Sequence, residues 1–117
     1  MSSITTHVLD TTTGRPANGM AVTLESQNKD GESWTLIGDK TTDSDGRVKD
    51  LLPPGAKIKP GVYRLAFETG SYFAARKISC FHPTVHVIFE IKEKEAGHHH
   101  HVPLLLSPYG YSTYRGS

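Results

Sequence analysis

Residues 61–69 read GVYRLAFET, which places Tyr63, Leu65 and Phe67 on one face and Arg64, Ala66 and Glu68 on the other. A period of two does not follow the side of a helix, whose period is 3.6, but it matches a strand with one buried face. The pattern recurs in TVHVIFEIK (84–92), where Val85, Val87, Phe89 and Ile91 share a face. Shorter runs are also strand-like: Ile4 to Leu9, the set Met20, Val22 and Leu24, the set Trp34, Leu36 and Ile37, and Val102 to Leu106. Turn chemistry separates them. DTTTGRPANG (10–19) closes the first strand, and Asp45-Gly46 in TTDSDGRV (41–48) supplies a tight reversal with Arg47 at its exit. Only GSYFAARKI (70–78) lacks alternation, and its Ala74, Ala75, Arg76 and Lys77 predict one short helix. Ser-Pro-Tyr-Gly (107–110) predicts a closing hairpin whose second strand runs through Tyr111 to Ser117. Short strands between turn signals predict an all-β sandwich or barrel rather than alternating strands and helices.

At 117 residues the chain suits one domain spanning 1–117. The net charge of +1, with both signs interspersed, gives no basic stripe for a phosphate backbone, so nucleic acid is not expected as a partner. No apolar run is long enough to span a bilayer and the N-terminus has no signal-peptide pattern, so no membrane partner is expected either. The single Cys80 excludes an intramolecular disulfide and fits a reducing compartment. RGS at the C-terminus is not a Ser-Lys-Leu peroxisomal signal. A cytoplasmic or peroxisomal location is the expectation.

The run His98 to His101 invites a metal reading, because imidazole is the commonest metal ligand. On a strand, however, His98 and His100 face one way and His99 and His101 the other, and no cysteine or carboxylate pair at ligand spacing completes a set. No metal is expected, and His98 to His100 read as an exposed loop. The segment around Asp43 and Asp45 lacks the ligand spacing and flanking helices of an EF-hand and reads as a hairpin turn. Ser107, Ser112 and Ser117 occupy no Gly-x-Ser-x-Gly elbow, which disfavours a covalent serine mechanism. By spacing alone, His7, His82 and His86 read as structural hydrogen-bonding residues.

Four segments in order, THVLDTTTGRPA (6–17), TDSDGR (42–47), FHPTVHVIF (81–89) and HVPLLLSPYGYSTYRGS (101–117), closely resemble the 5-hydroxyisourate hydrolase family, the enzymatic branch of the transthyretin-like proteins. The closing Tyr-Arg-Gly-Ser is that branch's signature. The resemblance implies a transthyretin-like sandwich of two four-stranded sheets with one short helix. It also implies a homotetramer, a dimer of dimers, with active sites in a channel where the dimers meet. The family's working residues fall on His7, Arg47, His101 and Ser117, with Tyr114, Arg115 and Gly116 as substrate-binding residues, and no cofactor is implied. The chain departs from the family where His100 replaces an aromatic residue and His98 extends the histidine run.

The implied reaction is cyclic amide hydrolysis: water adds to the C6 carbonyl of 5-hydroxyisourate and the bond to N1 breaks. Either His7 or His101 can transfer protons near neutral pH, and Arg47 and Arg115 offer planar donors for the substrate's oxygens. Ser117 brings a hydroxyl and, as last residue, an ionised carboxylate. The competing expectations are a transthyretin-like carrier of a small hydrophobic ligand, which calls for an apolar channel, and a purely structural sandwich module.

Overall fold

The computed structural model describes residues 3–116. Its strands, in chain order, are β1 (Ser3–Asp10), β2 (Arg15–Pro16), β3 (Ala21–Gln27), β4 (Trp34–Thr41), β5 (Arg47–Val48), β6 (Gly61–Phe67), β7 (Val85–Ile91), β8 (His99–Leu106) and β9 (Tyr111–Thr113). One helix, α1 (Thr69–Ala74), follows β6, and a 3₁₀ turn at Glu93–Glu95 precedes β8. Two sheets pack face to face. One runs β4-β3-β6-β7; the other runs β2-β1-β8-β9, with β5 also paired to β1. The second sheet therefore has five strands where four were expected. The fifth arises because the free edge of β1 is shared: Leu9 and Asp10 pair with β2, while Thr6 and His7 pair with β5.

Alternation decides what lies between the sheets. In β1 the even-numbered residues Ile4, Thr6, Val8 and Asp10 are buried, and in β8 the inward residues are His100, Val102, Leu104 and Leu106. Val22 and Leu24 of β3, Tyr63, Leu65 and Phe67 of β6, and Val85, Val87 and Ile91 of β7 meet them from the opposite sheet. These side chains supply the main driving force for folding, each fully buried large aliphatic or aromatic group contributing about 1.5–3 kcal/mol.

The helix begins one residue earlier than its sequence predicts and ends four residues sooner. Lys77 adopts a positive φ of 59°, and the Ile78 N–H turns back to the Phe73 carbonyl at 3.0 Å, which sends Ile78 against the core. Arg76, just past the helix, folds back on its last turn: its guanidinium lies 3.7 Å over the Tyr72 ring and donates to the carbonyls of Tyr72 and Asn18. Packing the partly buried Ile78 against the core outweighs the helix preference of Ala75 to Lys77.

One polar contact inside the sandwich locks the end of β1. The buried Asp10 carboxylate accepts from the Tyr72 hydroxyl at 2.9 Å and from the Thr12 N–H at 2.9 Å. Burial, reinforced by Asp10, pushes the Tyr72 phenol up to about 12. Tyr72→Phe leaves that buried carboxylate short of a donor, and the expected result is a loss of about 1–3 kcal/mol in urea unfolding, with the slope of the transition unchanged.

Candidate active site

The parallel pairing of β1 with β8 sets Ser3 beside His99, Thr5 beside His101 and His7 beside Pro103. These odd-numbered residues face away from the core, so three histidines from the two ends of the chain share one outer face. β5 adds Arg47 directly opposite His7.

Arg47 is delivered by a turn built around Asp43. The Asp43 carboxylate accepts from the N–H groups of Asp45 at 2.8 Å and of Arg47 at 3.0 Å, and the Arg47 bond leads the influences that hold this carboxyl below its usual range. Gly46 has a φ of 73°, and any Cβ there would collide with the Val8 carbonyl. Glycine thus lets the turn lie against β1, where the Val8 N–H donates to the Gly46 carbonyl at 2.7 Å.

Thr5, Thr6, Arg47, Lys49, His99 and His101 line a cleft of about 380 Å³ on this face. His101 is half-buried, and Thr5 Oγ1 lies 2.8 Å from its Nδ1. Burial first, then the charges of His99, His7 and Arg47, lower the imidazole below its ordinary value. That shift favours the neutral imidazole, which can accept a proton near neutrality and can give up its N–H only as its other ring nitrogen takes one up.

The C-terminal segment closes the other side of His101. β9 pairs with β8 through Leu104 and Thr113, after which Tyr114 and Arg115 leave the ladder. Pro103, the next residue of β8, has no N–H to continue it. The same register resumes at an isolated bridge in which the Gly116 N–H donates to the His101 carbonyl at 2.9 Å. A Cβ on Gly116 would lie 2.5 Å from His101 Cδ2, so the strap fits over the ring only as glycine.

Of the residues singled out in the sequence, His7, Arg47 and His101 come together on one face, and Gly116 packs on His101. Tyr114 and Arg115 instead line a second cavity of about 390 Å³, with His100, Val87 and Phe89, to which His101 also contributes. There Arg115 donates to Glu95 at 3.2 Å, and His98 Nδ1 approaches the same Glu95 oxygen at 3.1 Å. Ser117 lies outside the described residues. His82 packs edge-on between Phe81 and Tyr111, and His86 is exposed on β7.

The expected exposed loop at His98 to His100 is corrected in two places. His99 and His100 belong to β8, and His100 is only 7% exposed. The inward parity of Val102 and Leu104 extends back to it. Among the described residues neither His100 ring nitrogen has a hydrogen-bond partner, and no set of three potential metal ligands converges. Thr5 is the residue that sequence reasoning missed; nothing local marks it, because its partner lies 96 positions away.

The family model described as HIUase/Transthyretin matches residues 4–116. The chain belongs to this family. A 5-hydroxyisourate hydrolase from Salmonella dublin is 48% identical over 114 residues, which is 97% of this chain and 80% of that protein. The solved 5-hydroxyisourate hydrolase of Klebsiella pneumoniae superposes with a TM-score of 0.82 at 33% identity, covering 98% of this chain and 99% of its own. Sea bream transthyretin in complex with thyroxine reaches 0.87 at 31% identity, covering 97% and 93%. The family fold thus accommodates proteins named for hydrolysis and a thyroxine-binding protein alike, and the side chains on the outer face must separate them.

His100 offers a test of this packing. Burial, followed by the Arg115 charge, lowers its imidazole, with His98 adding to the shift through its ring while the His98 main chain and the Glu95 carboxylate pull weakly the other way. A histidine whose folded value lies below its unfolded value of about 6.5 lets the unfolded chain bind the proton first. Its contribution to stability is complete above that unfolded value and is lost as pH falls through the folded one. His100→Phe is therefore expected to raise stability at pH 8 by about 1–2 kcal/mol. The same variant should show a smaller loss between pH 7 and 5 than wild type, read by urea unfolding at each pH.

Proposed function

We propose that the chain hydrolyses 5-hydroxyisourate to 2-oxo-4-hydroxy-4-carboxy-5-ureidoimidazoline, a step of urate degradation, by non-covalent attack of water. The observation that carries this reading is the convergence of His7, Arg47 and a neutral-leaning His101 from β1, β5 and β8 on one outer face. The names of the relatives add the substrate. Water attacks the C6 carbonyl as a histidine takes its proton, Arg47 binds the oxygen on which negative charge develops, and a histidine protonates N1 as the ring opens. His7 is assigned to the water, supported by Ser117, and His101 to the leaving nitrogen. Tyr114 and Arg115, which line the adjoining cavity that shares His101, are assigned to substrate binding from that side, with Gly116 holding the His101 ring in place.

The assembly proposed is a homotetramer, a dimer of dimers, whose channel covers the outer face of β1 and β8. A second subunit across the cleft would exclude water and strengthen the arginine's hold on developing charge. Action in the cytosol or peroxisome is consistent with a lone free Cys80.

A carrier function is the second reading, favoured by the likeness to thyroxine-bound transthyretin. The cleft argues against it: Arg47, Lys49, His99 and His101 are four nitrogen-bearing groups among its six lining residues, a better match to a polar, anionic heterocycle than to a hydrophobic ligand.

Generating 5-hydroxyisourate from urate in situ and following its ultraviolet absorbance tests the hydrolase reading. His7→Asn and His101→Asn are each expected to lower kcat/KM by about 10²–10⁴-fold, and removal of Ser117 should lower turnover with the oligomer intact. Decay no faster than the spontaneous background in wild type would sink the proposal.

A further inference from the structure

We infer that Ser3, His99, Thr5 and His101 form a proton relay that connects His101 to solvent at the far end of β8, an inference that rests on the hydrolysis proposed above. The side chains lie in sequence along the outer face. His99 Nδ1 is hydrogen-bonded to Ser3 Oγ, Thr5 Oγ1 lies 3.4 Å from His99 Nε2, and the same oxygen lies 2.8 Å from His101 Nδ1. The two imidazoles are nearly parallel, at 14° with centroids 6.2 Å apart. Their stacking leaves the Thr5 hydroxyl between one nitrogen of each ring.

A hydroxyl has one proton to give and lone pairs to accept with, and a neutral imidazole has one donor and one acceptor nitrogen. Two arrangements of the chain are therefore self-consistent. In the first, Ser3 donates to His99 Nδ1, His99 Nε2–H donates to Thr5, and Thr5 donates to His101 Nδ1, leaving the His101 proton on Nε2. In the second, every donor is reversed and His101 Nε2 carries a lone pair. Passing between them moves one proton along the chain while both rings stay neutral.

Neutrality is what the surroundings demand. Among the described residues, the groups facing His101 are His7 from β1, Arg47 and Lys49 from the β5 side, and His99 from its own strand, and none of those lining the cleft is acidic. An imidazolium formed there would be half-buried among cationic neighbours. When His101 Nε2–H protonates the departing N1, His101 Nδ1 takes the Thr5 proton, Thr5 takes that of His99 Nε2, His99 Nδ1 takes that of Ser3, and Ser3 is reprotonated by water. The proton lost by the attacking water leaves through His7, so the bulk is restored. Uptake of a proton at His101 Nε2 from the substrate side resets the chain by the reverse shift. Thr5 and His99 are thus positioning residues, acting through His101.

The experiment compares Thr5→Val, which keeps the side-chain shape without the hydroxyl, with Thr5→Ser, which keeps the hydroxyl, and with His99→Phe, which keeps an aromatic ring. Thr5→Val is expected to lower kcat by about tenfold or more with KM nearly unchanged, and the lost rate should return as imidazole buffer is added, because a free proton carrier replaces the relay. Thr5→Ser should recover most of the wild-type kcat. His99→Phe should lower kcat in the wild-type background and add nothing in Thr5→Val, as expected for two members of one unit. A Thr5→Val enzyme with wild-type kcat, a loss that buffer does not restore, or losses that multiply in the double variant would each overturn the relay. Should Thr5→Val fail to fold, the buffer dependence of His99→Phe, whose side chain is exposed, decides in its place. A wild-type chain that leaves the spontaneous decay unchanged would overturn the hydrolase reading itself, whereas an active wild type with an unaffected Thr5→Val would overturn the relay alone.

Discussion

The parallel ladder between β1 and β8 is the interaction on which the rest of the molecule depends. It joins residues from the two ends of the chain over eight consecutive positions, from Ser3 with His99 to Asp10 with Leu106. Because the strands run parallel and in phase, every outward residue of one stands beside an outward residue of the other. A slip of one position would turn His101 into the core and bring His100 out. The register is secured from inside, where Ile4 and Val8 of β1 and Leu104 and Leu106 of β8 are almost fully buried, and where the Thr6 hydroxyl donates to the Val102 carbonyl at 2.6 Å. The chemistry on the outer face is thus held in place by the packing on the inner one.

Around this ladder the remaining elements act as delivery devices. The Asp43 turn brings Arg47 to the free edge of β1, and the residues after β9 return over β8 to cap His101. Each device depends on a glycine that lets main chain approach closely, Gly46 against the Val8 carbonyl and Gly116 against the His101 ring. The outcome is a face rich in positive and potentially positive groups, on which burial and repulsion together lower the central His101 imidazole below its ordinary value. Such a face favours an anionic or strongly polarised ligand.

Most of the elements were legible before any coordinates. Alternation in 61–69 and 84–92 is a local signal, because burial of every second side chain follows from backbone pleat alone, and Tyr63, Leu65, Phe67, Val85, Val87 and Ile91 all lie in the core. The Asp45-Gly46 turn was equally plain, since its carboxylate and positive-φ requirements are met within a few residues. The helix boundary was misjudged because Ile78 gains more from the core than Ala75 to Lys77 gain from another turn. His100 was misread for a related reason: a histidine run looks polar and exposed, yet strand parity carried it between the sheets.

By itself the sequence determined most of the strands and turns, though not β2, β5 or the end of β9, the sandwich class and, through resemblance, His7, Arg47 and His101 as the residues to watch. Only the tertiary structure decided that Thr5 bridges His99 and His101, that Arg115 pairs with Glu95, and that His100 is buried without a hydrogen-bond partner among the described residues. The division has one physical cause. Periodicity and turn chemistry are settled between neighbours in the chain, whereas the Thr5 contact spans 96 residues and exists only once a parallel register has been chosen by the core.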